Sequence, residues 1–182
     1  MDDVAIRRAQ ASDAAAIAAV HVAAWRETYT GVVRGRLLSD LSVEERTTRW
    51  RRILTEPDAA AVSGVFVAVR PDQAVVGFGS CGRQREAALV SSGFEGEFSA
   101  LYVLKAHQGH GVGRRLMALM ARDLMTRGLR SAALWVLREN ERARRFYEAL
   151  GAQSIGARVE THGDVDLDVV DYGWLDLRVL AP

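Results

Sequence analysis

The length and composition of the chain indicate a soluble globular protein with a substantial core. It has 182 residues, of which 49% are hydrophobic and 26% charged, and this argues against an intrinsically disordered protein. The formal net charge of +1 gives no strong long-range field, so we expect neither a nucleic acid nor a membrane as a partner. Any anionic ligand must therefore be bound by local geometry.

The sequence predicts one cytoplasmic domain that spans residues 1–182. It has no stretch of about 18 consecutive apolar residues, and its start lacks the basic and then apolar order of a secretory signal. Cys81 is the only cysteine, which rules out an internal disulfide. Its place in a predicted strand favours a small buried side chain over a nucleophile.

The first third of the chain predicts a short strand and two helices. The strand "VAIRRA" is followed by a helix with Ser12 as its N-cap, and Gly31 ends that helix. Ser42 and Glu45 have the spacing of a capping box, which predicts a second helix before Pro57.

The middle of the chain predicts a hairpin and then a strand, helix and strand. The segments "GVFVAVR" and "AVVGFGSCG" around "PDQ" are typical of an antiparallel hairpin. "GEFSALYVL" predicts the next strand, and "QGHGVG" leads from it into an amphipathic helix that Gly128 ends. "AALWVL" predicts a strand parallel to its predecessor because a helix joins the two.

A short helix and a hairpin complete the predicted elements. Asn140 is placed to cap the helix, and Gly151 is placed to end it. "AQSIGARVE" and "VDLDVVDYGWLDL" around "THGD" predict the hairpin. Its exposed edge offers a surface for a homodimer.

The "QGHGVG" stretch predicts a binding site for a diphosphate. It is not a P-loop, because Gly113 is followed by Arg114 and Arg115, and it lacks the third glycine of the dinucleotide fingerprint. A strand, a glycine loop and a helix N-terminus remain, and their free backbone N–H groups suit a pyrophosphate. His107 and His110 lie close in sequence, but no further cluster completes a metal site, so we expect no metal.

The segment "ALYVLKAHQGHGVGRRLM" resembles the acetyl-CoA-binding motif of the GNAT superfamily of N-acetyltransferases. The motif is Gln/Arg-x-x-Gly-x-Gly/Ala; it follows an apolar strand and opens a helix. Here Gln108, Gly111 and Gly113 occupy its three defined positions. "LWVLRENERARRFYEALGA" is similar to the strand, asparagine and short helix that follow in the family. "VHVAAWRETYTGVVRGRLL" with "RTTRWRRIL" is similar to a subgroup of small-substrate or uncharacterised members.

The resemblance implies an α/β protein with the acyl-CoA N-acyltransferase fold: a mixed, mostly antiparallel sheet of about seven strands, about four helices and a splayed central parallel pair. It also implies acetyl-CoA as the acetyl donor, with its pyrophosphate on the loop and its pantetheine arm paired with a strand. A backbone N–H near Val103 would stabilise the charge that grows on the thioester oxygen. The implied cofactor-binding residues are Leu101, Tyr102, Val103, Gln108, Gly109, His110, Gly111, Val112, Gly113, Arg114, Asn140 and Tyr147.

Tyr147 matches the general acid of the family. A tyrosine hydroxyl has an ordinary pKa of about 10, so it can protonate a leaving thiolate whose conjugate acid lies near 8.5. The alternative is that Tyr147 only packs on the apolar face of its helix. Asn140 matches a contact of the family to the pantetheine arm, and it can be a plain N-cap as well.

Glu97 is the candidate general base. Some members of the family carry a glutamate here that acts through a water, and strand alternation puts Glu97 on the same face as Ser99, Leu101 and Val103 unless a bulge intervenes. A solvated carboxylate at the strand end is the alternative, since many members use no dedicated base. The histidines are weaker candidates for a base: His21, His110 and His162.

The acceptor amine is expected between the first two helices and the last hairpin. Trp25, Tyr29 and Trp50 are candidates to line its pocket, and core packing is the alternative explanation. Four aspartates of the hairpin could attract a cationic amine, although alternate aspartates in such a hairpin usually face water: Asp164, Asp166, Asp168 and Asp171.

The sequence therefore predicts an N-acetyltransferase that moves the acetyl group of acetyl-CoA to a primary amine of a small molecule or peptide by direct nucleophilic attack. A non-catalytic acyl-CoA-binding or sensing module would share the loop but would have no use for an acid at Tyr147. A protein-interaction domain, in which the glycine loop is only a turn, is the third alternative.

Overall fold

A mixed sheet forms the centre of the protein. The computed structural model describes residues 4–29, 41–56, 62–162 and 165–181. The strands are β1 (Ala5–Arg8), β2 (Val62–Val69), β3 (Val75–Arg83), β4 (Gly96–Val103), β5 (Ala132–Leu137), β6 (Gln153–His162) and β7 (Val165–Trp174). They form one seven-stranded sheet in the order β1-β2-β3-β4-β5-β7-β6. Every neighbouring pair is antiparallel except β4 and β5, which are parallel as predicted.

Five α-helices lie in the described ranges, whereas about four were predicted. They are α1 (Ala14–Tyr29), α2 (Val43–Thr55), α3 (Ala87–Ser91), α4 (Val112–Thr126) and α5 (Glu141–Ala149). The extra helix, α3, is a five-residue turn in the connection from β3 to β4, too short to show a hydrophobic period in the sequence.

Most of the predicted helix ends are confirmed. The Ser42 hydroxyl accepts a hydrogen bond from the N–H of Glu45 (3.2 Å) and so caps α2. Gly128 and Gly151 follow α4 and α5 in the left-handed conformation, with φ of 81° and 84°. The predicted stops at Gly31 and Pro57, and the centre of the last turn, lie outside the described residues.

The predicted N-cap at Ser12 is wrong. A 3₁₀ turn, Ala11–Asp13, precedes α1, and the Asp13 carboxylate accepts a hydrogen bond from the N–H of Gln10 (2.7 Å). The same carboxylate forms a two-point ion pair with Arg7 (2.7 and 2.9 Å). Asp13, and not Ser12, therefore binds the backbone N–H at the start of this helix, because its carboxylate can accept hydrogen bonds from Gln10 and from Arg7 together.

The helices cover the two faces of the sheet. Helices α4 and α5 pack on one face, where Leu116, Met120 and Tyr172 are buried. Helices α1 and α2 pack on the other face around Ile17 and Phe78. A ligand between β4 and β5 would therefore lie between two helical layers.

Two further predictions concern the side chain of Cys81 and the location of the protein in the cell. Cys81 lies within β3 and is fully buried, which agrees with the prediction of a small core side chain. Within the described ranges, no helix combines the length and the apolar character that a membrane crossing needs. The cytoplasmic location stays a prediction.

Candidate active site

The parallel strands β4 and β5 pair over two residues and then separate. Gly96 pairs with Ala132 and Glu97 with Ala133, although β4 continues to Val103. This is the splayed pair that the resemblance to the GNAT superfamily implies. The facing edges beyond the split are not paired with each other, and an extended, peptide-like ligand can add to such an edge.

The backbone of Val103 faces this gap. Leu104 donates its N–H to the carbonyl oxygen of Val76 in β3 (2.9 Å). Since successive residues of a strand direct their backbone groups to opposite sides, the N–H and C=O of Val103 point away from β3. The side chain of Gln108 confirms this direction, because its Nε2 donates to the Val103 carbonyl oxygen (2.8 Å). Gln108 therefore fastens the loop to the end of β4.

The glycine loop presents backbone donors to open space. Gly109 and Gly111 are in the left-handed conformation, with φ of 85° and 77°, and a Cβ on either residue would meet no atom within 4 Å. Arg115 is the first residue of α4 whose N–H bonds to a carbonyl, that of Gly111 (3.0 Å). The N–H groups of residues 112–114 thus lack a partner within the helix and lie at its positive end.

The side chains of the loop differ in what they can contribute. Arg114 is exposed beside the glycines, whereas Val112 is buried in the core, so that only its N–H can reach a ligand. His110 is exposed. A Cβ on Gly113 would lie 3.2 Å from Cζ of Phe146, so this glycine lets α4 and α5 approach closely.

A cavity of about 430 Å³ extends along the gap to the glycine loop and α5. We call it the loop cavity. It brings together ten of the twelve residues that the resemblance assigns to the cofactor, and only His110 and Val112 are not in its lining. The ten are Leu101, Tyr102, Val103, Gln108, Gly109, Gly111, Gly113, Arg114, Asn140 and Tyr147.

Tyr147 both packs in the core and lines the loop cavity. It is 8% exposed, and its ring lies 5.3 Å from that of Phe146 and 6.1 Å from that of Trp174, in edge-to-face contacts. Asn140 also has two roles open to it. Its Oδ1 accepts a hydrogen bond from the N–H of Ala143 (3.1 Å), as an N-cap does, and the residue lines the cavity.

A second cavity, of about 700 Å³, lies on the side of the sheet that α1 and α2 cover. We call it the arginine cavity after five residues of its lining: Arg46, Arg49, Arg52, Arg85 and Arg158. His21, Trp25, Trp50, Tyr102 and Trp135 supply aromatic surface to it.

The two cavities meet at a shared wall, which consists of Trp25, Glu97, Ser99, Ala100, Tyr102, Leu134 and Trp135. Within this wall the indole Nε1 of Trp25 donates to the hydroxyl of Tyr102 (3.0 Å). Trp25 therefore lies where a pocket residue was predicted. Tyr29 is the last residue of α1, and its side chain is outside the described part of the chain.

Glu97 lies on the shared wall and is held by an arginine. Its two carboxylate oxygens accept hydrogen bonds from Nη2 and Nε of Arg85 (2.5 and 2.9 Å). Glu97 does not share a face with Leu101 and Val103, because the exception that the prediction allowed, a bulge, is present. A bulge at Ser99 shifts the register of β4 against β3, which turns the residues after it to the opposite face.

His21 is placed in the arginine cavity but is poorly suited to act as a base. Its Nδ1 accepts a hydrogen bond from Nε1 of Trp50 (3.3 Å), which assigns the proton of the neutral ring to Nε2. Burial, with the charges of Arg46 and Arg49, lowers the pKa of His21 to about 3. The side chain of His162 lies outside the described residues.

Comparison with known proteins identifies the family. Residues 25–152 match the acetyltransferase (GNAT) family. The chain is 33% identical over 177 residues to YuaI of Bacillus subtilis, an uncharacterised N-acetyltransferase, and the match covers 97% of this chain and 96% of that protein. The chain belongs to the GNAT family. It is therefore an acyltransferase, and acetyl-CoA is its acetyl donor.

Solved structures show the same GNAT fold. The structure of yncA from Salmonella typhimurium, solved with acetyl-CoA, has a TM-score of 0.68 at 18% identity, and the match covers 96% of this chain and 95% of that chain. The paiA N-acetyltransferase of Thermoplasma acidophilum, solved with coenzyme A, has a TM-score of 0.65 at 18% identity and covers 94% of this chain and 99% of its own. The predicted fold is thus confirmed.

Sequence reasoning missed the charged lining of this GNAT protein's arginine cavity. Arg46 and Arg49 lie three residues apart on α2, a spacing that the segment "RTTRWRRIL" displays but that an exposed helix face would also explain. It also missed Asp171, which is 5% exposed instead of facing water and is paired with Nε of Arg158 (3.2 Å). Among the described residues, no group of His, Cys, Asp or Glu is placed to hold a metal ion.

Proposed function

We propose that this GNAT enzyme transfers the acetyl group of acetyl-CoA to a primary amine of a small molecule or peptide, by direct attack of the amine on the thioester. The observation that supports this proposal is the shared wall. Because its residues line both cavities, a ligand in the loop cavity and a ligand in the arginine cavity would come into contact there. Direct attack also needs no covalent enzyme intermediate. Cys81, the only cysteine, is fully buried and is in the lining of neither cavity.

The loop cavity suits acetyl-CoA. The open space at Gly109 and Gly111 leaves room for a pyrophosphate against the N–H groups of residues 112–114. The side chains of Arg114 and Arg142 are in the cavity lining and add positive charge. The unpaired edge of β4 beyond Glu97 offers hydrogen bonds to the amide groups of a pantetheine arm.

The N–H of Val103 supplies electrostatic stabilisation. This N–H faces the gap. The side chain of Gln108 fixes the residue by donating a hydrogen bond to the carbonyl oxygen of Val103. As the amine attacks, negative charge grows on the thioester oxygen, and one fixed donor at such a position is worth about 3 to 4 kcal/mol. A donor that is part of the main chain needs no side-chain ordering when the substrate binds.

Tyr147 serves as the general acid. Its ring is fixed by aromatic neighbours on the wall of the loop cavity, on the same side of the sheet as α4 and α5. A positioned hydroxyl can give its proton to the departing thiolate of coenzyme A, which makes the leaving group a neutral thiol.

Glu97 serves as the general base at the shared wall. An amine acceptor arrives largely as an ammonium and must lose a proton before it attacks. Arg85 binds both carboxylate oxygens of Glu97, but each oxygen has a second lone pair that can accept a proton through a water. Arg85 thus fixes the direction of the carboxylate.

The experiment that tests this function compares two tyrosine variants. Tyr147→Phe should lower turnover by about tenfold to a thousandfold and leave the affinity for coenzyme A within about twofold, because only the proton donor is lost. Tyr172→Phe is the control for a disturbance of α5 alone, since Tyr172 lines neither cavity and its hydroxyl bonds to Glu148 and Arg144 of the helix that carries Tyr147. Its effect on turnover should be smaller than that of Tyr147→Phe.

Turnover is measured as thiol release from acetyl-CoA with amino acids, polyamines, aminoglycosides and peptides as acceptors. Equal turnover in Tyr147→Phe and the unmodified protein would remove Tyr147 from the mechanism. Binding of coenzyme A without thiol release for any acceptor would favour the non-catalytic sensing module.

A further inference from the structure

The lining of the arginine cavity carries more positive than negative side chains. Among the residues that the structure describes, five arginines of this lining face three glutamates: Glu86, Glu97 and Glu160. A site for a simple cationic amine would be expected to show the opposite balance, since like charges repel inside a partly enclosed cavity. Of the aspartates that the sequence offered for this purpose, Asp166 and Asp168 are exposed and are not in the cavity lining, and Asp171 is paired with Arg158. Asp164 lies outside the described residues.

Three of the five arginines are already neutralised by carboxylates. The pairs are Arg85 with Glu97 (2.5 Å), Arg52 with Glu56 (3.5 Å), and Arg158 with Glu160 and with Asp171 (3.2 Å). Arg85 and Arg158 therefore belong to ion pairs within the cavity wall, whereas the pair of Arg52 with Glu56 is largely exposed and is screened by water. In each case a carboxylate offsets the charge of the arginine.

Arg46 and Arg49 differ from the other three. Among the described residues, neither side chain forms a hydrogen bond or an ion pair. They lie on one face of α2, and Arg46 is half-buried. Burial and the charge of Arg49 lower the pKa of Arg46, against a smaller opposite effect of Tyr102 and Glu45. An anion between the two guanidinium groups would offset this unfavourable arrangement.

His21, which lines the same cavity, is also affected by the positive charge of Arg46 and Arg49. The charges of Arg46 and Arg49 add to burial in lowering the pKa of His21. The ring of His21 stacks on Tyr102 at 4.8 Å, and Tyr102 belongs to the shared wall. The two arginines and the shared wall are therefore parts of one continuous cavity surface.

We propose that the acceptor is a small amine that also carries an anionic group, a carboxylate or a phosphonate, and that Arg46 and Arg49 bind this group while the amine reaches the shared wall. Guanidinium groups form two-point hydrogen bonds with such anions. A cavity of about 700 Å³ has the volume of a small-molecule site. The inference rests on the proposed acetyl transfer and specifies its acceptor.

The test uses pairs of acceptors that differ in the anion alone. Each amino acid is compared with its carboxamide, and each aminoalkylphosphonate with the alkylamine of the same length. We expect the anionic member of at least one type of pair to have about tenfold to a hundredfold higher kcat/KM. The two types of pair distinguish a carboxylate from a phosphonate.

Variants assign the preference to the two arginines. In the double variant Arg46→Gln with Arg49→Gln, the KM for the anionic acceptor should rise by about tenfold or more, and the KM for acetyl-CoA should not change. Arg51→Gln is the matched control, because Arg51 is exposed on the same helix and is not in the cavity lining. Equal rates within every pair, or a preference that survives in the double variant, would overturn the inference.

Two outcomes separate this inference from the proposed function. Acetylation of neutral amines as fast as of anionic ones would keep the acetyltransferase and reject the anion site. If no acceptor is acetylated, the proposed function is in doubt, and the anion site is tested by thermal shift with N-acetylated amino acids and their carboxamides. Stabilisation of the unmodified protein by the acids, lost in the double variant, supports the site; no difference between them rejects it.

Discussion

The loop cavity and the arginine cavity are built from different parts of the chain. The loop cavity presents main-chain groups: the N–H of Val103, the edge of β4 and the first turn of α4. The arginine cavity presents side chains from helices α1 and α2 and from strands on both sides of the gap. Backbone donors suit the donor that the whole GNAT family shares, whereas side chains can differ between members. The acceptor of this protein must therefore be inferred from its own arginine cavity.

At the shared wall, where the two cavities meet, Glu97 can be tested as the base that prepares the acceptor. Glu97→Gln keeps the size of the side chain and removes its ability to accept a proton. We expect turnover to fall by about tenfold or more, because the acceptor ammonium is then deprotonated by bulk water alone. The affinity for coenzyme A should stay within about twofold, since Glu97 lies at the closed end of the gap. Steady-state rates and calorimetric titration measure the two quantities.

Glu44→Gln is the control for this change. Glu44 is an exposed glutamate of α2 and is in the lining of neither cavity. If Glu97→Gln turns over as fast as Glu44→Gln, Glu97 is only the partner of Arg85, and the enzyme uses no dedicated base.

The free energy of unfolding of the protein should depend on pH through His21, which lines the arginine cavity. The pKa of this group is about 3 in the folded protein and about 6.5 when unfolded, so the unfolded chain binds a proton first as the pH falls. Its contribution to stability is complete above about pH 6.5 and declines below it, by at most about 1.4 kcal/mol per pH unit. Between pH 7 and 5.5 we expect a loss of about 1 kcal/mol.

Urea unfolding of the unmodified protein and of His21→Gln at both pH values measures this loss. The difference in free energy of unfolding between pH 7 and 5.5 should shrink in His21→Gln. His110→Gln, at an exposed histidine, should retain the behaviour of the unmodified protein. An unchanged pH dependence in His21→Gln would show that His21 is not held in its neutral form.

What the sequence predicts well follows local patterns. Hydrophobic periodicity and caps such as Ser42 identify the elements, because each depends on residues within a few positions. The glycine loop is legible for the same reason. The resemblance to the GNAT family adds the roles of these residues, and ten of its twelve cofactor residues are found in one cavity.

What the sequence could not predict depends on contacts between distant segments. The bulge at Ser99 redirects β4 relative to Glu97, and nothing in "GEFSALYV" marks it. The pairing of Glu97 with Arg85 neutralises one arginine of the cavity and leaves Arg46 and Arg49 without such a partner among the described residues. The charge of the arginine cavity is visible only when these pairs are known.

Calorimetric titration with coenzyme A measures whether the glycine loop binds the acetyl donor. The unmodified protein should give a saturable heat, and Gly111→Val should lose at least about a hundredfold in affinity, because its φ of 77° disfavours a β-branched residue and the side chain would fill the space before the loop. Gly128→Val, at the other end of α4 with φ of 81°, carries the same backbone strain and should still bind. No heat with the unmodified protein, or equal affinity in the two variants, would show that the glycine loop does not bind coenzyme A.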